Sequence, residues 1–118
     1  MCGIAGIFNL NGEIVDEVLL NKMSEKIAHR GPDGKGIFVD KNIGLAHRRL
    51  AILDTSDKGA QPMSSKNNKW TIIFNGCIYN FSELKKELKT KGHTLFPKQI
   101  LKSFVKAYPN MEKFFLKN

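Results

Sequence analysis

The sequence lacks the features of a secreted, membrane-spanning or disulfide-bonded protein. It contains two cysteines among its 118 residues, Cys2 and Cys77, too few for the disulfide framework of a small secreted domain. No run approaches the roughly 18 consecutive apolar residues of a membrane span. The N-terminus also lacks the basic region and apolar core of a secretory signal. We therefore expect a cytoplasmic protein with no membrane partner.

Positive charge is plentiful, but it is not concentrated on a recognition surface. The formal net charge is +8, which raises nucleic acid as a partner. Residues 98–118 alone carry five lysines against one glutamate. The rest of the chain is rich in lysine but has no cluster of arginine and aromatic residues. We expect no nucleic-acid partner, and a small basic binding module stays open as an alternative.

The residue pattern predicts one domain at most, of mixed helices and strands. Asn11-Gly12 favours a tight hairpin turn after the first strand, and Asp16 and Ser82 are the expected N-caps of the two helices. Gly92 is the expected end of the second helix. The predicted strands are 3–9, 36–40, 43–47 and 70–74, and the predicted helices are 17–29 and 83–91. Apolar residues at helical spacing in the first helix are Val18, Leu19, Met23 and Ile27.

A cysteine stands directly after the initiator methionine. Removal of Met1, which a small second residue favours, leaves Cys2 with both a thiol and a free α-amine. Free α-amines have a pKa of about 7.7–8.0, so this amine can accept the thiol proton directly or through one water. The N-terminus alone favours the alternative, an apolar cysteine at the start of a buried strand. The rest of the chain reverses that preference.

Four short segments of the chain form an ordered set whose members are individually weak signals. They are Met1-Cys2-Gly3-Ile4-Ala5-Gly6, His29-Arg30-Gly31-Pro32-Asp33-Gly34, Arg48-Arg49-Leu50-Ala51-Ile52 and Phe74-Asn75-Gly76-Cys77-Ile78-Tyr79-Asn80. Together they resemble the glutaminase domain of asparagine synthetases, class II glutamine amidotransferases with an N-terminal nucleophile. Gln61-Pro62-Met63 fits the same pattern, and the resemblance covers residues 1 to about 97.

The resemblance implies a glutaminase reaction. Cys2 would attack the side-chain amide of glutamine, giving a γ-glutamyl thioester and ammonia, and water would then release glutamate. Asn75 and Gly76 would supply an amide side chain and a backbone N–H to the developing oxyanion. Glycine at position 76 lets the backbone approach closely. Outside this context, Asn75-Gly76 predicts only a hairpin turn.

The resemblance also assigns the residues that bind glutamine. Arg49 matches the arginine that grips the substrate carboxylate, a task suited to a planar bidentate donor. Backbone groups of Leu50 and Ile52 would line the pocket. His29 and His47 have no cysteine or carboxylate partner at metal-ligand spacing, so we expect no metal site. We interpret His29 as part of the loop that covers the substrate and His47 as architectural.

The chain departs from the family pattern at two places. Cys77 stands where the family has glutamate, so the substrate-binding position after Gly76 loses an acidic group near the substrate amine. We hypothesise that this second thiol forms an inactivating disulfide with Cys2. Downstream, the family aspartate that holds the glutamine α-amine is missing, because residues 98–103 read Lys-Gln-Ile-Leu-Lys-Ser.

A shifted reading frame explains the second departure. Restoring one adenine in an A-rich codon run at Lys98 changes the translation to Lys-Thr-Asp-Thr-Glu-Val, the segment that the family carries. We therefore expect residues 1–97 to be the N-terminal part of the amidotransferase domain and residues 98–118 to be a frameshifted tail. The alternative is a genuine helix, since Leu101, Phe104 and Val105 have partial helical periodicity.

The implied fold is α+β: the first half of a four-layer αββα sandwich of antiparallel sheets, an N-terminal-nucleophile hydrolase. We expect no cofactor in this fragment. ATP and Mg²⁺ belong to the synthetase domain, which we expect to be absent, and family members are often homodimeric. Unpaired strand edges and apolar faces predict instability or aggregation. Two alternatives stay open, an inactive truncated product and another class II amidotransferase acting on a sugar or other acceptor.

Overall fold

The described part of the chain combines two helices with antiparallel strands, which confirms the α+β class. The structure is a computed structural model, and it describes residues 1–52, 59–65, 68–76 and 79–92. The strands are β1 (Gly3–Phe8), β2 (Gly34–Asp40), β3 (Ile43–Arg49), β4 (Met63–Ser64) and β5 (Thr71–Ile72), and the α-helices are α1 (Glu17–Lys26) and α2 (Phe81–Thr90). Within these ranges no helix is long and apolar enough to cross a membrane.

The main sheet has the strand order β1-β3-β2. Its central strand, β3, is antiparallel to both neighbours, with Gly3 opposite Arg48 on one side and Gly34 opposite Arg49 on the other. The β2–β3 hairpin turns at Lys41, whose φ is 50°. This register brings the N-terminus beside the end of β3, more than forty residues later in the chain. Strands β4 and β5 form a separate two-stranded sheet.

The prediction of a hairpin at Asn11-Gly12 is wrong, although the turn itself is present. Gly12 has φ 80°, and its N–H donates to the carbonyl of Asn9 at 3.1 Å. The element that follows the turn is α1, and β1 pairs instead with β3. A local turn signal therefore predicted the bend but not the partner of the strand.

The predicted N-cap of α1 is confirmed. The Asp16 carboxylate accepts hydrogen bonds from the N–H groups of Val18 and Leu19, at 2.9 and 3.2 Å. The helix ends at Lys26 instead of residue 29, and a short 3-10 helix, Ala28–Arg30, follows it. The 3-10 helix leads into the Arg30-Gly31-Pro32 segment.

The buried face of α1 matches the one that the apolar spacing predicts only in part, since Met23 and Ile27 are half-buried. Leu20 and Ser24 are fully buried, whereas Val18 and Leu19 are 63% and 48% exposed. Leu20 packs over Gly44 of β3, where a Cβ would lie 2.9 Å from Leu20 Cδ2. The absence of a side chain at position 44 allows this close approach, so β3 selects which face of the helix is buried.

The chain divides into two compact units, Met1–Met63 with Thr71–Cys77, and Ser64–Trp70 with Ile78–Asn118. In the second unit α2 begins after Asn80, not after the predicted cap Ser82, which lies inside the first turn. Gly92 follows α2 with φ 80° and ends it as predicted. Leu88 is the buried residue of the helix.

The structure tests one of three predictions from the second half of the sequence. The strand predicted over residues 70–74 is present only as Thr71–Ile72. Cys77 and residues 93–118 lie outside the described residues, so the frameshift and the disulfide hypothesis stay predictions. In the main sheet, Phe8 and Ile43 lie opposite each other and are 62% and 40% exposed; the expected instability stays a prediction.

Candidate active site

The Cys2 thiol lies against the backbone of Leu50. Leu50 N–H donates to Cys2 Sγ at 3.3 Å, and the thiol in turn faces the Leu50 carbonyl at 3.8 Å. The contact follows from the β1–β3 register, which brings residues 3 and 48 together. Cys2 is half-buried, while Met1 is 77% exposed. The thiol is thus held by the fold, directly after an exposed Met1.

The turn between α1 and β2 contacts both Cys2 and the segment beside it. Arg30 Nε donates to the carbonyl of Cys2 at 3.1 Å. Asp33 N–H donates to the carbonyl of Arg49 at 2.9 Å, and Asp33 Oδ2 accepts from Ala51 N–H at 2.8 Å. This turn therefore fixes the nucleophile candidate from one side and the 49–51 backbone from the other.

A glycine makes this approach possible. A Cβ on Gly31 would lie 2.5 Å from Arg49 N and closer still to the carbonyl of Arg48. Pro32 forms an isolated parallel bridge with Arg49. Since these are backbone atoms, they cannot move aside as a flexible side chain could. The close fit of turn against strand requires glycine at position 31.

Of the six residues expected to bind glutamine, three lie on one segment at the end of β3, and the other three, Asn75, Gly76 and Cys77, belong to a later segment. Arg49 is the last residue of the strand, and Leu50 and Ile52 follow it. The guanidinium of Arg49 packs over Gly59, where a Cβ would be 2.6 Å from Nη2. Ile52 is 73% exposed. Arg48, the preceding arginine, faces α1: its Nε donates to Ser24 Oγ at 3.0 Å, and its Nη2 pairs with Glu25.

Glu25 is shared between two cations. Its carboxylate accepts from Lys35 Nζ at 3.0 Å and also pairs with Arg48. The hydrogen bond from Lys35 is the main cause that lowers the pKa of Glu25 below its ordinary value. Desolvation opposes it, and the charges of Arg48 and Lys35 lower the pKa further. This ionic cluster connects α1 to β2 and β3. The role of Arg48 is therefore structural.

Asn75 and Gly76 follow β5 in the same unit as Cys2. Asn75 is half-buried and Gly76 is exposed. Gln61 Oε1 accepts from the backbone N–H of Phe74 at 2.6 Å, so Gln61 fixes the residue directly before Asn75. In the described part of the chain no hydrogen bond connects Cys2 with Asn75 or Gly76. Their meeting around a substrate stays a prediction.

His47 lies beneath the site and not at its surface. It is 1% exposed, which is consistent with an architectural role. Burial is the main cause that lowers its pKa; the nearby backbone of Phe74 opposes it, and the charge of Arg49 lowers the pKa further. His47 is therefore neutral near pH 7. Its Nε2 is buried with no hydrogen-bond partner in the described residues.

His29, by contrast, is exposed in the 3-10 turn. Within residues 1–52, 59–65, 68–76 and 79–92, no three His, Cys, Asp or Glu side chains are grouped so that they could hold a metal ion. Cys77, the remaining expected site residue, lies outside the described residues.

Sequence reasoning missed two residues that fix the candidate site. Asp33 and Gln61 each lie in a segment quoted for its resemblance, yet neither was assigned a role. Their contacts span 18 and 13 residues of sequence respectively. The only local signal was the dense turn sequence around Gly31, which indicates a loop but not the strand on which it packs.

Comparison with known proteins gives one consistent result. The glutamine amidotransferase domain family matches residues 1–113. Asparagine synthetase [glutamine-hydrolyzing] 1 of Bacillus subtilis is 45% identical over 97 residues, which are 80% of this chain and 15% of that protein. Asparagine synthetase [glutamine-hydrolyzing] 3 of the same organism is 36% identical over 96 residues, 79% of this chain and 16% of that protein. Asparagine synthetase [glutamine-hydrolyzing] of Brassica oleracea is 40% identical over 96 residues, which are 80% of this chain and 16% of that protein. The chain spans about one sixth of the length of these curated relatives.

Proposed function

The chain belongs to the family of glutamine amidotransferase domains, and we propose that it hydrolyses glutamine with Cys2 as the nucleophile. That family is enzymatic, and glutamine is the substrate that the domain implies. The observation that carries the proposal is the contact between Leu50 N–H and Cys2 Sγ at 3.3 Å. It joins the one nucleophile candidate at the N-terminus to the segment proposed to bind glutamine.

The first step of the proposed reaction forms a thioester. After removal of Met1, the α-amine of Cys2 takes the thiol proton, directly or through one water. The sulfur attacks the glutamine side-chain carbonyl and gives a tetrahedral oxyanion. Collapse of this intermediate breaks the C–N bond, and the proton held by the amine passes to the leaving nitrogen. Ammonia leaves, and a γ-glutamyl thioester remains on Cys2.

The second step restores the enzyme. Water loses a proton to the α-amine and attacks the thioester carbonyl, and collapse of the second tetrahedral intermediate breaks the C–S bond. Glutamate leaves and the proton returns to sulfur. We assign the two oxyanion donors to the Asn75 side chain and the Gly76 N–H, because such donors stabilise charge that develops in the transition state.

Substrate binding is assigned to the segment that follows β3. Arg49 would bind the glutamine carboxylate in two hydrogen bonds, and the backbone of Leu50 and Ile52 would line the pocket. We also assign Cys77 to the pocket by its position after Gly76. The location of Arg49 next to Leu50, whose backbone touches the thiol, supports this arrangement.

The acceptor of the ammonia and the complete fold are further parts of the proposal. Relatives of this chain are named glutamine-hydrolyzing asparagine synthetases, so we propose that the ammonia serves the ATP- and Mg²⁺-dependent amidation of aspartate in a longer protein. The proposed glutaminase steps themselves use only side chains, backbone groups and water. We propose that the complete domain is a four-layer αββα sandwich.

The test is release of ammonia and glutamate from glutamine by the 118-residue chain. Mass spectrometry first verifies that Met1 has been removed. The Cys2→Ala variant is expected to lose all measurable release, since it lacks the sulfur that carries the proposed thioester. Asp40→Ala, which alters an exposed aspartate at the end of β2, is the matched control and should retain activity. Release that persists in Cys2→Ala, or no release from a folded wild-type chain with a free Cys2, would refute the proposal.

Substrate binding has its own test. Arg49→Lys keeps the positive charge but loses the planar pair of donors. It is expected to raise KM for glutamine by about tenfold with a smaller change in kcat. An unchanged KM would remove Arg49 from the binding site.

A further inference from the structure

Two consecutive peptide groups, on either side of Leu50, lie between Cys2 and Asp33. In the first, Leu50 N–H donates to Cys2 Sγ at 3.3 Å, and the Arg49 carbonyl accepts from Asp33 N–H at 2.9 Å. In the second, the Leu50 carbonyl faces Cys2 Sγ at 3.8 Å, and Ala51 N–H donates to Asp33 Oδ2 at 2.8 Å. The N–H and C=O of a planar trans peptide point in opposite directions. Each peptide group therefore has the sulfur at one end and Asp33 at the other.

We propose that Asp33 is a positioning residue for Cys2. By bonding both peptide groups, it holds the Leu50 N–H aimed at the sulfur that the reaction uses. The inference rests on the proposed function, because it concerns how that nucleophile is oriented. Asp33 acts through the backbone of residues 49–51, to which both of its hydrogen bonds run.

The chemistry of sulfur explains why this orientation matters. A thiol can both donate and accept, but a thiolate can only accept. Once Cys2 is ionised, the Leu50 N–H becomes its donor in a charge-assisted hydrogen bond, which is stronger than a neutral one. The bond from Asp33 N–H to the Arg49 carbonyl polarises the same peptide group and strengthens its N–H as a donor.

The side chain of Asp33 adds a second constraint. Without the carboxylate, Ala51 N–H loses its acceptor and the Leu50–Ala51 peptide is free to rotate. That rotation also turns the neighbouring peptide, because the two groups share the Cα of Leu50. The turn itself stays attached through Pro32, which bridges to Arg49, and through Arg30, which donates to the Cys2 carbonyl. Removal of the carboxylate therefore perturbs the orientation of the backbone more than the position of the turn.

The first experiment measures the rate of alkylation of Cys2 by iodoacetamide near neutral pH, in the full chain and without glutamine. Peptide mapping separates Cys2 from Cys77. Asp33→Ala is expected to slow alkylation of Cys2 by about fivefold or more, since an aimed donor to the thiolate is lost. Asp33→Asn keeps an acceptor oxygen for Ala51 N–H but has no charge, so it should stay within about twofold of wild type. Asp40→Ala is the control for loss of an exposed aspartate and should also stay within that range.

The second experiment measures hydrogen exchange of the Ala51 amide in the wild-type chain by NMR. Ala51 lies beyond the end of β3, so slow exchange of its amide reports the bond to Asp33 and not a bond of the sheet. Slow exchange that becomes fast in Asp33→Ala and remains slow in Asp33→Asn is the expected result. Fast exchange in the wild type would overturn the proposal without reference to any variant.

Steady-state kinetics supply a third readout. In a chain that hydrolyses glutamine, Asp33→Ala should lower kcat by about fivefold or more and change KM by less than about twofold. Alkylation at the wild-type rate in a folded Asp33→Ala chain would overturn the proposal. So would loss of cooperative unfolding in that variant, because Asp33 would then act on folding. If the wild type releases no ammonia, the proposed function fails, while alkylation and exchange still decide the role of Asp33.

Discussion

Replacement of Gly31 by alanine is expected to loosen the turn that contacts both Cys2 and the end of β3. The backbone of Gly31 has φ −150° and ψ 82°, which alanine also adopts, so the penalty is steric. The added Cβ would lie 2.5 Å from Arg49 N, whereas carbon contacts are optimal at about 3.5–4.0 Å. The turn or the strand must therefore shift by about 1 Å.

Such a shift has a cost in both stability and reactivity. Overpacking of a well-packed site typically costs about 1–3 kcal/mol, and about 2 kcal/mol would lower Tm by roughly 8–16 °C in a domain of this size. The same displacement would lengthen the bonds of Arg30 and Asp33 to Cys2 and to the 49–51 backbone. Alkylation of Cys2 in folded Gly31→Ala should therefore also change.

Urea denaturation and thermal melts of Gly31→Ala measure the effect. Gly6→Ala is the matched control, because a Cβ at Gly6 would lie 3.4 Å from its nearest neighbour, the carbonyl of Gly44. That substitution should alter the free energy of unfolding by less than about 0.5 kcal/mol. A Gly31→Ala chain as stable as Gly6→Ala would refute the close packing of the turn on β3.

Three further predictions test other parts of the fold. Asp16→Ala removes the cap of α1 and should cost about 1 kcal/mol in urea denaturation, and no loss would contradict the capping assignment. Leu20→Ala opens a cavity at a fully buried position and should cost about 2–5 kcal/mol, whereas the exposed Leu19→Ala should cost far less. Because burial lowers the pKa of His47, its contribution to stability is complete above the unfolded pKa of about 6.5 and is lost as pH falls from there toward the folded pKa. Urea denaturation at pH about 7.5 and about 5.5 should show this loss, and a loss equally large in His47→Gln would exclude His47 as its source.

Features governed by neighbouring residues were predictable. Asp16 caps α1 because a carboxylate at that position reaches the free N–H groups of the first turn. Gly92 ends α2 because glycine accepts a positive φ at no steric cost. The β2–β3 hairpin was also predictable, since its strands adjoin a short polar turn. The N-cap of α2 was placed two residues late, at Ser82, because Asn80 begins the helix without a side-chain capping hydrogen bond, so capping propensity does not locate this helix start.

Features governed by distant residues were not predictable. Val18 and Leu19 fit the apolar spacing of α1, but Gly44 lets Leu20 approach the sheet, so these two residues are exposed and Leu20 is buried in their place. Asn11-Gly12 predicted a bend, but which strand pairs with β1 depends on β3, more than thirty residues later. Helical spacing and turn propensity carry no information about the surface that an element meets.

The candidate site divides in the same way. The sequence by itself determined the family and which residue types carry the proposed chemistry. Each signal lies within one short segment: a nucleophile next to the N-terminus, an arginine, and an Asn-Gly pair. Only the tertiary structure decided that the Cys2 thiol meets the Leu50 backbone and that Asp33 holds the other end of the same peptide groups. Those contacts join residues 48 and 18 positions apart. They depend on strand register and on the room that Gly31 leaves, both of which are set only when the turn packs on the sheet.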